Sequence, residues 1–226
     1  MEAFKHWFLA WSIVKGRASY FHVTYFYSFF RQQFRKKCRS KEHADIAKDY
    51  GCDEVLERPE YTVRDSSPDI EWVMWALTEL IKQGELPLMY SILRVTSPFR
   101  TDKDIKAAWE KFEHSGAHSL RTMTPVEQHP GKMWVIHNDV ALPIMPTWSV
   151  KNPWHSQGTQ TLFSVYIQTA GMEMARADMT ITTKTIAGSY IIPYITAGLP
   201  ALDINTKFDW FKAEQAVKHG QAKFPV

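Results

Sequence analysis

The most informative chemical feature of the sequence is an arginine beside a hydroxyl-rich turn, in the stretch ILRVTSPFRT that runs from Ile92 to Thr101. Arg94 interrupts an apolar run that is otherwise typical of a strand covered on both faces. In open α/β sheets, ligands bind beyond the carboxyl ends of the strands. A phosphate or carboxylate of a ligand would compensate a cation there, and so would a nearby acidic side chain. The spacing alone leaves these two alternatives equal.

A second polar cluster lies near the end of the chain, in the stretch ALDINTKFDWFKAE. Asp203 follows an apolar pair, and Asn205 points to the same side of an extended segment two residues later. Two oxygen ligands on one face suit Mg²⁺, which takes one or two carboxylates together with substrate phosphates. Helix capping by Asn205 or Asp209 explains the same residues equally well.

Two further stretches carry residues suited to binding anions. ERPEYTVRDSSPD contains Arg58 and Asp69 ahead of a helix N-terminus, and an ordinary capped loop is the alternative. In EQHPGKMW, Pro130 and Gly131 hold Lys132 on a tight bend, where an exposed lysine without a function is the alternative. The sequence holds no glycine-rich P-loop, dinucleotide fingerprint, zinc-protease motif or nucleophile elbow.

These clusters fall between elements of an alternating α/β pattern. SSPDIEWVMWALTELIKQG repeats apolar residues at three- and four-residue steps, which predicts a helix with Pro68 in its first turn. A capping box at Thr101 predicts a second helix, and SKEHADIAKDYG and FDWFKAEQAVKHG predict two more. Strands are predicted over 88–95, HSLRTMT and SYIIPYI, with a hairpin that turns at Asn138-Asp139. The methionines of MEMARADM are predicted to fill core or interface.

The charge of the chain is divided unevenly. Residues 1–40 hold eight basic side chains and one acidic one, a net +7, whereas the remainder holds 19 basic and 23 acidic ones, a net −4. The body is therefore mildly acidic, and the overall charge does not indicate a nucleic-acid partner. The basic, aromatic leader favours a packed or poorly ordered extension, with attachment to an anionic surface as the weaker alternative.

Length and composition bound the class of protein. A chain of 226 residues with 45% hydrophobic residues suits one large domain and excludes wholesale disorder. The longest apolar run of the leader, WFLAWSIV, is far shorter than the roughly 20 residues that span a bilayer. Cys38 and Cys52 match neither a disulfide framework nor a metal site, which indicates reduced thiols and a cytoplasmic location.

Taken in order, the polar clusters resemble the acylneuraminate cytidylyltransferase family, the CMP-sialic acid synthetases and their relatives for other nonulosonic acids. The resemblance extends from about Lys41 to the end of the chain. It is carried by AKDYGCDEVLERPEYTVRDSSPDIEWVMWAL, ILRVTSPFRT, VEQHPGKMW and LDINTKFDWFKAE. It implies a three-layer, Rossmann-like α/β fold of the nucleotide-diphospho-sugar transferase type with a mixed, mostly parallel sheet. It also implies a homodimer with a dimerisation arm near residues 133–170.

The implied reaction is transfer of CMP from CTP to the anomeric hydroxyl of an acidic nine-carbon sugar, with Mg²⁺ as cofactor and release of pyrophosphate. By match of motif, Asp203 would hold Mg²⁺, and Asn205 would be a weaker or water-mediated ligand. Arg58, Asp69 and Arg94 fall at nucleotide-binding positions.

The resemblance also assigns a sugar site. Lys132 falls where the sugar acid binds and would act with Asp203 as a catalytic residue. IQTAGMEM resembles the segment that contacts the sugar, which assigns Gln168 and Thr169 to substrate binding.

Residues 1–40 depart from the family, because they contain no counterpart of its glycine-rich, basic loop for the CTP phosphates. We interpret them as a replaced N-terminus or as sequence read in a shifted frame, which predicts that the first strand and helix of the fold are missing or improvised. Residues 41–226 form the predicted cytidylyltransferase domain. The alternative function is a catalytically impaired or non-catalytic homologue that acts as a binding or assembly partner.

Overall fold

The computed structural model describes the backbone of residues 22–28, 31–38 and 54–57, and both backbone and side chains of residues 59–62, 64, 66–94, 96–146 and 151–222. The helix predicted over residues 40–51 lies outside the described residues.

The described α-helices are α1 (Asp69–Lys82), α2 (Asp102–Glu113), α3 (Ala177–Thr183) and α4 (Lys207–Lys218). The described strands are β1 (His22–Ser28), β2 (Arg31–Cys38), β3 (Glu54–Glu57), β4 (Met89–Arg94), β5 (Ser119–Pro125), β6 (Trp134–His137), β7 (Val140–Pro143), β8 (Tyr166–Arg176) and β9 (Ile191–Ile195).

Seven of these strands form one twisted sheet in the order β3-β2-β1-β4-β8-β5-β9, and β6 and β7 form a separate hairpin. β1 is antiparallel to both β2 and β4, and β8 is antiparallel to both β4 and β5. The two remaining pairs, β2–β3 and β5–β9, are parallel. Five strands therefore run in one direction and two in the other, which confirms the predicted mixed sheet, although four of its six adjacent strand pairs are antiparallel.

The sheet continues beyond β4 through a hairpin of the basic leader. β1 pairs with β4 from His22↔Arg94 to Tyr27↔Met89, and β2 pairs with β1 through Ser28↔Arg31. The strand beside β4 thus runs opposite to it, in a segment where the sequence predicted an improvised element. The division of the chain at residue 40 stays a prediction.

Helix α1 covers one face of the central strands. Its apolar positions recur at helical spacing, so Trp72, Val73, Ala76, Leu77 and Leu80 are all buried. They pack against Tyr90 and Ile92 of β4 and Ala175 of β8. The helix forms as predicted, with Pro68 one position before its first residue. Truncating a fully buried leucine in such a cluster typically costs about 2–5 kcal/mol.

Helix α2 covers the opposite face. Thr101 caps it through a reciprocal box with Asp104, as predicted. Its buried Phe112 lies under the guanidinium of Arg176, 5.7 Å from the ring centroid. Because neighbouring residues of a strand point to opposite faces, Arg176 and Ala175 place α2 and α1 on different sides of the sheet. This arrangement confirms the three-layer fold.

The β6–β7 hairpin turns where the sequence predicted. Asn138 and Asp139 adopt positive φ angles of 47° and 60°, the left-handed pair that a two-residue hairpin turn requires. Several large apolar side chains of the hairpin remain exposed. Within the described residues, none of the helices is both long and apolar enough to cross a bilayer.

Candidate functional site

The predicted site residues concentrate at the carboxyl edge of the sheet. β4, β5 and β9 run in the same direction, so their carboxyl ends share this edge. The turn after β4 is tied to the segment before α4, because the amide of Ile204 donates to the carbonyl of Thr96 over 2.8 Å. This bond brings the stretch containing Asp203 and Asn205 beside the turn that follows Arg94, as ligand binding at this edge requires.

Arg94 is held by two acidic side chains. Its Nε and one Nη donate to a single carboxylate oxygen of Glu173 over 3.0 and 2.6 Å, and the same Nη contacts Asp69. The Arg94 side chain is 23% exposed, whereas that of Glu173 is only 5% exposed. The sequence left open whether a ligand anion or an acidic side chain balances the charge of Arg94. The structure shows acidic side chains, those of Asp69 and Glu173, in this role.

The second oxygen of Glu173 pairs with Arg121 of β5, which is equally buried. The other Nη of Arg121 donates to the carbonyl of Ile186 over 2.9 Å. Burial lowers the pKa of Arg121 from its usual value. We call Asp69, Arg94, Glu173 and Arg121 the ion chain, because Arg94 pairs with Asp69 and Glu173, and Glu173 pairs with Arg94 and Arg121.

Strand register explains how the ion chain forms. Glu173 of β8 is the register partner of Ile92 on one side and of Arg121 on the other. Arg94 lies two residues beyond Ile92 and therefore on the same face, which is the face that α1 covers. Asp69 is the first residue of α1, and the indole of Trp72 fixes its other oxygen over 2.8 Å. Three strands and one helix thus contribute one charged side chain each.

Arg100 fastens the turn between β4 and α2. One Nη of its buried guanidinium donates to the carbonyl of Arg94 over 3.1 Å and also to the carbonyl of Gly171 on β8. Arg100 therefore links the backbone at the end of β4 to the backbone of the neighbouring strand β8.

Only one of the two carboxylate oxygens of Asp203 has a hydrogen-bond partner among the described residues. The side-chain Nδ2 of Asn205 donates to Asp203 Oδ2 over 2.8 Å. Asp203 Oδ1 is buried and has no hydrogen-bond partner within the described part of the chain. The capping alternative applies to Asp209, which forms a reciprocal box with Thr206 at the start of α4, and not to Asn205. The Thr206 hydroxyl lowers the pKa of Asp209.

Lys132 lies at the base of the hairpin, on a short 3-10 turn after β5. Its ammonium donates to the carbonyl of His155 over 2.9 Å and to that of Gln157. The turn is stabilised by the ring of His129, whose Nδ1 accepts the amide of Gly131 over 2.9 Å. Lys132 is thus half-buried and bound to the loop before β8.

Gln168 and Thr169 lie on β8, at the point where its pairing with β5 shifts register. Thr122 of β5 spans the irregularity, because its hydroxyl accepts the amide of Met172 over 2.9 Å and contacts the carbonyl of Thr169. The Thr169 hydroxyl is buried without a partner among the described residues, and Gln168 is exposed.

The structure therefore brings together Asp69, Arg94 and the Asp203–Asn205 stretch, and it places Lys132 with the hairpin. Arg58 lies outside the described residues. Sequence reasoning missed Glu173 and Arg121. The feature that could have identified them is a charged residue inside an otherwise apolar stretch: Glu173 in MEMA and Arg121 in SLRTM. Met172 and Met174 are buried, which confirms the predicted core role of the methionines.

Comparison with solved structures supports the fold. A CMP-2-keto-3-deoxy-manno-octonic acid synthetase complexed with CTP superposes with a TM-score of 0.55 at 10% identity, over 85% of this chain and 83% of that one. A 4-diphosphocytidyl-2C-methyl-D-erythritol synthase from Anaerococcus prevotii gives a TM-score of 0.54 at 10% identity, over 82% and 78%. Comparison with known protein families finds no match.

Proposed function

We propose that the chain is a CTP-dependent cytidylyltransferase that transfers CMP to an acidic nonulosonic sugar and releases pyrophosphate. The observation that carries the proposal is the Thr96–Ile204 bond, which joins the arginine-bearing end of β4 to the stretch of Asp203 at the ligand-binding edge of the sheet. Both fold neighbours are named for chemistry with a cytidine nucleotide, one of them in complex with CTP.

The residues at this edge fit Mg²⁺ bound together with a nucleotide. A buried carboxylate oxygen of Asp203 lacks a partner within the described residues, and a hard cation favours such an oxygen. Asn205 directs its amide nitrogen at Asp203, so its oxygen is the atom left to face a cation or its water. The described residues contain no cluster of three or more His, Cys, Asp or Glu. Phosphate and water oxygens would therefore complete the coordination, and the bound ion would screen the triphosphate charge.

The reaction we propose needs positioning and charge neutralisation rather than a covalent intermediate. The sugar hydroxyl gives its proton to water as its oxygen attacks the α-phosphorus of CTP in line, the bond from that phosphorus to the oxygen it shares with the β-phosphorus breaks, and pyrophosphate departs with that oxygen. Arg94, oriented by Asp69, faces the nucleotide, and Arg58 is assigned to the same substrate. Asp203 would hold the Mg²⁺, which would supply charge screening for the triphosphate.

We assign the sugar carboxylate to Lys132, as a catalytic positioning cation, with Gln168 and Thr169 on the sugar. A lysine ammonium has three donors, and the His155 and Gln157 carbonyls take two of them. The unpartnered, buried hydroxyl of Thr169 supports a polar ligand at the start of β8. A cytoplasmic location, where CTP is available, remains a prediction.

We further propose a homodimer formed through the hairpin arm within residues 133–170. Exposed apolar residues of this arm include Trp134, Val135, Ile136, Val140 and Leu142, at 42–67% of their full exposure. The strand register places Val135, Val140 and Leu142 on one face of the hairpin and Trp134 and Ile136 on the other, so apolar side chains are exposed on both faces. So much exposed apolar surface in one short element favours a contact with another chain. The same surface supports the second candidate function, a non-catalytic assembly partner.

Pyrophosphate release from CTP, measured as phosphate after pyrophosphatase treatment, tests the proposed activity. The reaction contains Mg²⁺ and a panel of nonulosonic acids, with a known synthetase as positive control. We expect release with at least one acidic nine-carbon sugar and none when the sugar is omitted. Absence of release with the whole panel, alongside a working control, contradicts the activity and favours the assembly partner.

A further inference from the structure

We propose that Glu173 and Arg121 are positioning residues that orient the Arg94 guanidinium for nucleotide binding. This inference rests on the proposed function, because it deepens the role of Arg94 in that site. Arg121 belongs to none of the stretches that carry the family resemblance, and Glu173 lies in IQTAGMEM, where the resemblance assigns only Gln168 and Thr169. Both are identified by their contacts alone.

Glu173 acts as a bridge because its two oxygens serve different arginines. Oε1 accepts from Arg94 over 3.0 and 2.6 Å, and Oε2 pairs with Arg121. The side chains of Glu173 and Arg121 are each 5% exposed, so neither charge is screened by much water. A buried charge without a partner is strongly unfavourable, so Glu173 constrains both guanidinium groups at once.

Arg121 supplies the fixed end of this bridge. Its Nη2 donates to the carbonyl of Ile186, in the segment between α3 and β9, and its backbone is paired on both sides, because β5 lies between β8 and the edge strand β9. Arg94 supplies the other end, at the carboxyl edge of β4, where its side chain is 23% exposed. Through Glu173, the buried Arg121 therefore restricts the orientation of the Arg94 guanidinium, which lies at the edge of the proposed site.

The charges of the ion chain also favour a positioning role over a purely stabilising one. Two carboxylates and two guanidinium groups sum to zero, and buried ion pairs commonly add little net stability compared with apolar residues of similar size. A planar guanidinium held through Nε and Nη by one carboxylate is fixed in its plane as well as in its place. An orientation of this kind matters for recognising a planar base or a phosphate.

The test is a double-mutant cycle of Glu173→Gln and Arg94→Gln, with KM for CTP and kcat measured by pyrophosphate release. We expect Glu173→Gln to raise KM for CTP about 10-fold, the factor that one charge-assisted hydrogen bond supplies. We expect kcat to change less than KM. In the Arg94→Gln background, Glu173→Gln should leave KM within about 2-fold, because interactions routed through one residue are not additive.

Glu110→Gln is the matched control, because it removes an exposed carboxylate of α2 that lies outside the stretches carrying the resemblance, and it should leave both constants unchanged. If Glu173→Gln does not fold, Arg121→Lys tests the same bridge, since it keeps the charge but loses the planar fork. It should raise KM for CTP in the same direction. Additive effects of the two glutamine substitutions, or a loss of kcat with unchanged KM, overturn the inference alone. A wild-type chain that releases no pyrophosphate overturns the inference together with the proposed function.

Discussion

At the residue scale, Lys132 has a structural task whatever its role toward a substrate. Its ammonium donates hydrogen bonds to the carbonyls of His155 and Gln157, in the loop that precedes β8. A partly buried hydrogen bond to a charged group contributes about 1.5–3 kcal/mol, so its loss should increase local opening. We expect Lys132→Met to accelerate amide hydrogen exchange in residues 154–161 by about 10-fold or more.

Lys151→Met is the control for this experiment, because Lys151 is an exposed lysine near the same loop. Its exchange pattern should match that of the wild type. Unchanged exchange at residues 154–161 in Lys132→Met would show that the loop does not depend on the ammonium.

The residues of the candidate site differ in how readily they can be recognised from the sequence. Arg94 was visible because it interrupts an apolar run before a turn, and Asp203 because it follows one. Glu173 was not, since a charged residue between two methionines gives no indication of which strands will flank it. Only the register of β4, β8 and β5 shows that its neighbours are arginines.

At the element scale, the caps of α2 and α4 are both local features, of which the sequence predicted the capping box at Thr101 but not the one at Thr206. Thr206 accepts the amide of Asp209, whose carboxylate accepts the amide of Thr206. Removing an N-cap hydroxyl typically costs about 1 kcal/mol of stability. We therefore expect Thr206→Ala to lower the free energy of unfolding by about that amount in urea titrations. The loss of unfolding free energy caused by Thr101→Ala should add to that caused by Thr206→Ala, because the two substitutions remove caps of different helices.

The α4 cap also predicts a pH dependence. The Thr206 hydroxyl lowers the pKa of Asp209 in the folded chain. A carboxylate with a lowered folded pKa contributes stability above its unfolded pKa, and the contribution is lost as pH falls through the folded value. The stability difference between the wild type and Thr206→Ala should therefore shrink below about pH 4. A difference that stays constant down to pH 2 in urea titrations would contradict this linkage.

Elements with strong periodicity were predictable, and those defined by their neighbours were not. The apolar spacing of α1 and the turn at Asn138 identified a helix and a hairpin correctly. β8 was not predicted as a strand, because its 11 residues include glycine and glutamate and do not alternate. Its strand conformation depends on β4 and β5, which flank it.

At the scale of the whole molecule, strand order is the part of the fold that the sequence could not supply. Element order predicted a mostly parallel, covered sheet, and the family resemblance implied a mixed one. They could not show that β8 lies between β4 and β5, or that a hairpin of the leader lies beside β4. Long-range pairing of this kind depends on tertiary contacts rather than on local spacing.

The exposed arm makes a prediction about assembly. Ile136 is 67% exposed on the hairpin and Phe208 is 64% exposed on α4. We expect Ile136→Lys to convert a dimer into a monomer in multi-angle light scattering, because a desolvated lysine in an apolar interface is unfavourable. Phe208→Lys, a control of similar exposure elsewhere, should leave the mass unchanged. A wild-type monomer, or equal effects of both changes, would contradict assembly through the arm.

The central claim is that this sheet edge binds CTP through Mg²⁺ at Asp203, and titration calorimetry of CTP with Mg²⁺ tests it most directly. We predict saturable binding to the wild type, a loss of affinity of at least about 10-fold in Asp203→Asn, and no loss in Glu110→Gln, which changes an exposed residue of α2. Absence of CTP binding to the wild type, or equal affinities of wild type and Asp203→Asn, would contradict the account.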